Sequence, residues 1–377
     1  VHESSTEFAE TVRGDYRSLE QVQFVYAEGD VGPTFDVISG DFQIDAGAEI
    51  RHNASFRLVA EGVSPADLRD ALQAPGTQVR YSRGMIRSDG EPEVKRVLTG
   101  EIATGALRVA RNGIDPLPVT VFDSFTRLQW PATSAFGIPA GQNYVTGIRK
   151  IVDKFAPNIK WSDIMSTPYT APSLAFATET QISSVLRDMA EAIGAELFFD
   201  AFNELNLAPV PLTTGRPAGW VFDLDQEGSG VISAEVQTNY DKKPNVVVVT
   251  GQHSSGGTVS AEAADGAPAS PTYHRGEAGR RPIFKRTEKV ITPTQAATMA
   301  RGLLQRVLGG SFQVVLEIIP NPLLTLGDMC LVKSERLGVN DPFIVEALSG
   351  SAGREEIGVP WRVTLRRGVI PETVEAG

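Results

Sequence analysis

The chain is poor in the residues that build redox, disulfide and metal chemistry. Its 377 residues include one cysteine, Cys330, so neither an intrachain disulfide nor a paired-cysteine zinc site is available. The four histidines, His2, His52, His253 and His274, are scattered, with no HExxH and no closely spaced pair, which argues against a catalytic zinc. Basic charge is also short: 35 Lys and Arg against 46 Asp and Glu give a formal net charge of −11. A dedicated nucleic-acid binder needs a basic face to displace phosphate counterions, so that class is disfavoured. No run approaches the ~18 consecutive apolar residues of a membrane span. The start, Val1-His2-Glu3-Ser4-Ser5, has no basic stretch leading into an apolar one, so no secretory leader is expected there.

Motif chemistry is equally thin. There is no GxxxxGK[ST] phosphate loop and no Gly-x-Ser-x-Gly nucleophile elbow. The pairs Gly256-Gly257 and Gly309-Gly310 do not open a helix after a strand, so a dinucleotide site has no support. Asp223/Asp225 and Glu355/Glu356 read as solvated acids rather than a glycosidase pair. His274, beside Tyr273 and Arg275, reads as a loop residue, and Cys330, between Met329 and Leu331, as a small buried hydrophobe. No enzymatic activity, no cofactor and no metal are expected.

What is present is strand-rich. At about 150 residues per domain the length allows two to three domains. Residues 1–30 carry seven acids against Arg13 and Arg17 and read as an exposed acidic arm. Residues 31–135 are β-branched or alternating runs separated by Gly, Pro and Asp, the pattern of a first β-barrel or sandwich module. One short helix interrupts them at Ser64-Pro65-Ala66-Asp67, with Leu68, Ala71 and Leu72 on one face.

Residues 136–228 change character. Ile148, Ile151, Val152 and Phe155 repeat at helical spacing. Thr178-x-x-Gln181 reads as a capping box before the stripe Ile182, Val185, Leu186, Met189 and Ile193, with Gly194 closing the helix. A hairpin follows over 195–208, turning at Asp200-Ala201-Phe202-Asn203, which makes this an α+β middle domain. Residues 229–377 return to strands as a second β module. Thr292-Pro293 caps a long helix there, and residues 251–279, rich in Gly, Ala and Ser, read as a long loop. The fold class is mainly β with an α+β insert.

One basic stretch stands out in this acidic chain. Arg275, Arg280, Arg281, Lys285, Arg286 and Lys289 lie beside that loop. Charge on a strand edge guards against aggregation, and the same charge suits a subunit interface with an acidic surface, such as residues 1–30 of another copy.

The order of several elements is familiar. The run Tyr240-Asp241-Lys242-Lys243-Pro244-Asn245-Val246-Val247-Val248-Val249-Thr250-Gly251 resembles an element of actinobacteriophage minor tail proteins, as does Ala269-Ser270-Pro271-Thr272. The turn Asn321-Pro322-Leu323-Leu324-Thr325-Leu326-Gly327-Asp328 is similar to one in the central hub proteins of phage tail tips and baseplates. Ile193-Gly194-Ala195-Glu196-Leu197-Phe198-Phe199-Asp200, within Ser183 to Pro211, resembles that family's middle domain.

The resemblance covers roughly residues 30–370. It implies two related β-barrel modules per subunit and a three-subunit ring that adapts a six-fold tail tube to a three-fold fibre or spike. The implied partners are further copies of the chain, a distal tail protein, the tail tube or tape measure protein, and a central fibre or spike. DNA is implied only as passing cargo, and the implied location is the virion tail tip, after assembly in the bacterial cytoplasm. Longer members continue into lytic or fibre domains, and with Gly377 as the last residue no lytic activity is expected.

Two other readings make different demands. A receptor- or carbohydrate-binding tail protein needs an exposed aromatic platform, for which Trp130, Trp161, Trp220 and Trp361 are the candidates, each expected to be buried. A cell-wall hydrolase needs the carboxylates discounted above.

Overall fold

Alternating β-branched residues near both ends of the chain meet in one sheet. The computed structural model describes residues 4–11, 18–26, 29–60, 62–73, 76–110, 113–114, 116–211, 216–239, 243–253, 255–268, 270–277, 279–354, 358–368 and 371–374. The N-terminal part forms α1 (Thr6–Thr11), β1 (Ser18–Val25), β2 (Val31–Phe35), β3 (Val37–Asp45), β4 (His52–Leu58), α2 (Pro65–Gln73), β5 (Gln78–Ile86), β6 (Pro92–Gly105), the two-residue strands β7 (Val109–Ala110) and β8 (Gly113–Ile114), and β9 (Leu117–Phe122). A 3-10 turn over Ser124–Leu128 leads to β10 (Phe136–Ile138), α3 (Tyr144–Phe155), β11 (Trp161–Ile164), β12 (Leu174–Phe176), α4 (Ile182–Ala192), β13 (Ala195–Phe199) and β14 (Leu205–Pro209). The remainder comprises β15 (Trp220–Asp223), β16 (Val231–Thr238), β17 (Val246–Gln252), β18 (Thr258–Asp265), β19 (Pro282–Arg286), α5 (Pro293–Gly309), β20 (Phe312–Ile318), β21 (Met329–Ser334), β22 (Val339–Ala352), β23 (Trp361–Arg367) and β24 (Pro371–Val374).

The mainly β expectation holds. Thirteen strands form one sheet in the order β16-β20-β23-β22-β3-β4-β9-β6-β5-β1-β2, with β15 and β21 branching from β22. Its two halves are joined by the antiparallel register of β22 on β3, from Ala347 opposite Asp45 to Ala352 opposite Gly40. The long β22 does this by serving β21 with its first half and β3 with its second. The apolar faces of these strands bury one core, including Phe42, Phe56, Tyr81, Phe343 and Trp361.

A second core gathers α3, α4, α5, the β13–β14 hairpin and the inner face of β17 and β18. The C-terminal third therefore divides: β16 and β20–β23 lie in the large sheet, while α5 and β17–β18 share a core with the middle helices. Local signals place these helices well. Thr292 Oγ1 accepts from the Gln295 amide at 3.2 Å, and Ser64 Oγ from the Asp67 amide at 3.1 Å. Gly194, at φ 70°, ends α4 where a side chain would be strained.

Three sequence expectations need correction. Residues 1–30 are not an exposed arm over their described part. There β1 pairs with β2 and β5, and Phe8, Val22, Phe24 and Val25 are buried. Glu20 is held by a buried ion pair with Arg83 and accepts from the Gly353 amide, so its charge is internal. Glu3, Arg13, Asp15, Arg17 and Glu28 lie outside the described residues.

Residues 251–279 are not one loop. Val246–Gln252 and Thr258–Asp265 form an antiparallel hairpin, closed where the His253 amide donates to the Gly257 carbonyl. The inward residues Val259, Ala261 and Ala263 are small because α5 packs on them, which hides the strand signal. The capping box at α4 does not form: Gln181 makes no side-chain cap and donates instead to the Gln129 carbonyl.

Candidate interaction surfaces

The six basic residues sit on or beside β19, the edge strand of a four-stranded sheet ordered β19-β17-β18-β24. The strand runs parallel to β17, placing Phe284 opposite Val248 and Lys285 opposite Val249. Alternation then turns Lys285 towards α4, where Nζ lies 3.5 Å from Glu191 and 3.8 Å from Asp188. Just beyond the strand, Lys289 Nζ donates to Asp188 at 2.9 Å. Arg280 is paired with Glu262 of β18, one strand beyond β17.

The other three differ. Arg275 Nε donates to His274 Nε2 at 3.0 Å, and the Arg281 amide donates to Asn245 Oδ1 at 2.7 Å. Arg286 is exposed and has no carboxylate partner among the described residues. The structure thus brings Lys285 and Lys289 together on one acidic helix face and spreads the other four along the outer edge.

Upstream of that edge, Asp265, Ser270, Thr272 and Gly279 are stapled together. Asp265 Oδ2 accepts from both Ser270 Oγ and Thr272 Oγ1 at 2.6 Å, while Asn245 Nδ2 donates to the Thr272 and Gly279 carbonyls. The hydroxyls are consumed in holding the loop. This is positioning, not nucleophile activation. Among the described residues no group of three or more His, Cys, Asp or Glu is placed to hold a metal ion. Burial raises the Cys330 thiol, and Asp328 raises it further, so it is not an activated nucleophile. Glu355 and Glu356 lie outside the described residues.

Exposed apolar side chains were not legible in the sequence. Phe284, at 72% exposure, projects from the outer face of β19, and Val31, Val221 and Ile232 are exposed on β2, β15 and β16. Trp130 is 73% exposed, against the expectation that every tryptophan is buried; Trp220 and Trp361 are buried and Trp161 half-buried. Phe284, Val221 and Ile232 each stand next to an apolar neighbour, out of phase with their strand's alternation, and Trp130 follows the 3-10 turn. That was the available signal, but it is shared with many innocuous residues.

Sequence reasoning also missed the joint between the two cores. Arg51, in the turn between β3 and β4, donates to Glu196 of β13 at 2.8 Å, and its guanidinium lies 4.2 Å from the Phe198 ring centroid. Arg306 of α5 reaches the same Glu196 at 3.3 Å and Glu191 at 2.7 Å. Burial raises the Glu196 carboxyl, but Arg51 and Arg306 override it and hold it below the usual carboxylate range.

The whole architecture recurs in solved structures. A tail protein from Neisseria meningitidis MC58 superposes with a TM-score of 0.64 at 12% identity, over 92% of this chain and 96% of its own. The chain has the fold of a phage tail protein. The 43 kDa tail protein of prophage MuSo2 from Shewanella oneidensis gives 0.59 at 15% identity, over 92% and 98%. The E. coli c3393 protein, a component of the type VI secretion system with structural similarity to the T4 tail proteins gp27 and gp5, gives 0.51 at 10% identity, over 90% and 74%. No protein-family model and no curated protein sequence matches the chain. The likeness is therefore one of fold, at 10–15% sequence identity.

Proposed function

We propose that this chain is a structural virion protein, the hub of a phage tail tip, in which three copies close a ring below the tail tube. The observation that carries the reading is the end-to-end match of the tail-protein fold, over 92% of this chain and 96% of the Neisseria protein. The order of sequence motifs, from Asn245–Gly251 through Asn321–Asp328, supports a place among actinobacteriophage minor tail proteins. The ring would adapt six-fold symmetry above to three-fold symmetry below and close the lumen until DNA ejection.

The physics of such a part matches this chain. A net charge of −11 repels the DNA backbone, so genome passing through an acidic ring would not adhere. Permanent ring interfaces bury about 2,000–5,000 Å² and are more apolar than ordinary surface. The free edges at β2, β16 and β19, with exposed Val31, Ile232 and Phe284, are the surfaces on which a neighbouring copy, a distal tail protein, a tube or tape measure protein, or a fibre or spike would seat. In this reading Arg275, Arg280, Arg281, Lys285, Arg286 and Lys289 frame the β19 contact, and shape and adhesion, not bond chemistry, are its output.

Light scattering of the purified chain, paired with its detection in tail particles assembled in the host cytoplasm, tests this. A trimer, or a monomer that joins particles, is expected. A stable dimer that never enters particles would contradict it. A zymogram on host peptidoglycan checks the absence of lytic activity, and a clearing band would overturn that part. Trp130 keeps a receptor-binding reading in play, because an exposed indole is what a sugar ring stacks on. Glycan-array binding lost in Trp130→Ala, with folding intact, would favour it.

A further inference from the structure

Where the large sheet meets β13, α4 and α5, the fold forms a solvent-open cleft of about 790 Å³. That is within the range of about 300–1,000 Å³ typical of small-molecule sites. Its walls are partly apolar, with Phe198, Val210 and Val345, and partly charged. Arg51, Arg187, Arg216, Arg306 and Arg366 line it, against three carboxylates, Glu49, Glu196 and Glu346. Two positive charges are in excess there, in a chain that is acidic overall.

The carboxylates are already engaged. Glu196 is shared by Arg51 and Arg306, Glu49 takes Arg187 at 3.2 Å and Gln129 at 3.0 Å, and Glu346 accepts from Gln313 at 2.7 Å. Arg366 makes no close ion pair among the described residues, and the charges of Glu346 and Glu196 act on it only from further off. It is 7% exposed, its Nη2 makes one long contact of 3.5 Å to the Pro211 carbonyl, and its Nη1 has no hydrogen-bond partner among the described residues.

The guanidinium is nevertheless a built feature. A Cβ on Gly309 would stand 2.9 Å from Arg366 Cδ and 3.0 Å from Nη1, so the glycine makes room for it. A buried guanidinium whose counter-charges stand off it is costly, because desolvation is only partly offset. Burial accordingly lowers its affinity for the proton, against the weaker opposing pull of Glu346 and Glu196.

We propose that this cleft is a binding site for a small oxyanion, a phosphate- or carboxylate-bearing molecule whose charge is completed by Arg366 with Arg51, Arg306 and Arg216. Planar guanidinium forks suit both groups, and the apolar wall leaves room for an organic remainder. A bound anion would also lock the two cores together, since its partners come from the β3–β4 turn, α5 and β23. The inference is independent of the ring and of any assembly partner.

The test uses the full chain at constant ionic strength, titrated by calorimetry with inorganic phosphate in one arm and citrate in the other, with chloride as the control. Saturable one-site binding in at least one arm is expected, with a thermal midpoint that rises with the logarithm of anion concentration. Arg366→Met should weaken binding by about tenfold or more, the loss expected of a charge-assisted pair. If that variant fails to fold, exposed Arg216→Ala should weaken it measurably without unfolding the chain. Saturable phosphate with silent citrate assigns the phosphate class, and the reverse assigns the carboxylate. Silence in both arms, or binding unchanged in the folded variants, overturns the proposal.

Discussion

Leu348 sits opposite Ile44 in the antiparallel register that fuses the N-terminal and C-terminal strands into one sheet. Two places further along β22, Gly350 faces Phe42, and a Cβ on that glycine would stand 2.2 Å from the Trp361 ring. Trp361 is itself fixed edge-on to Phe42 at 4.9 Å between centroids. Gly350→Ala must displace this buried ring and should cost about 1–3 kcal/mol, the range for overpacked cores. Urea unfolding measures it, and an unchanged midpoint would show that the seam is looser than described.

Helix α1 is tied down by Glu93 of β6, which accepts from the Ser5 amide at 3.0 Å and from Ser5 Oγ at 2.6 Å and pairs with Lys95 at 3.0 Å. Burial alone would raise this carboxyl, but those partners lower it from 4.5 to about 2. A depressed carboxyl stabilises the fold fully above its unfolded value, and that contribution is lost as pH falls from 4.5 towards 2. At about 1.4 kcal/mol per unit the ceiling is about 3.5 kcal/mol, and solvent screening at this surface site brings the contribution down to about 1 kcal/mol. Glu93→Gln should flatten stability between pH 4.5 and 2 while leaving the shape of the curve above pH 5 unchanged. An unaltered acid limb would contradict this account of Glu93.

Much of the fold was readable because helices and exposed hairpins announce themselves locally. The cap at Thr292 and the stop at Gly194 are local patterns, and each forms as the spacing implies. Helix α3 starts at Tyr144, ahead of its apolar stripe, because Asn143 caps it and the Tyr144 hydroxyl finds the Lys289 carbonyl. What was not legible depends on distant partners. The strand Thr258–Asp265 is inconspicuous until α5 covers it, and Glu20 counts as an arm acid until Arg83 is placed beside it. Arg51 and Glu196, 145 residues apart, share no pattern that names them as a pair.

The pairing of Lys289 with Asp188 links the segment after β19 to α4 with one member at 14% exposure and the other at 38%. Partly exposed ion pairs couple weakly, so a double-mutant cycle of Lys289→Met and Asp188→Asn should return about 0.5–1 kcal/mol. The coupling should shrink in high salt. Zero coupling at low salt would remove the ion pair from any account of how β19 is held.

Phe284 and Arg286 test the outer edge of that same strand. Both side chains are exposed and neither has a charged partner among the described residues, so Phe284→Ser and Arg286→Glu should change stability by no more than about 0.5 kcal/mol. Assembly should respond instead, with fewer chains incorporated into particles. Large destabilisation with normal incorporation would assign these residues to folding rather than contact.

Electron cryomicroscopy of tail particles containing this chain tests the central claim most directly. The proposed hub predicts three copies in a closed ring at the tip, between the tube and the fibre or spike, with strand edges at the contacts. Copies placed along the tube, a ring of another number, or complete tips lacking the chain would contradict it.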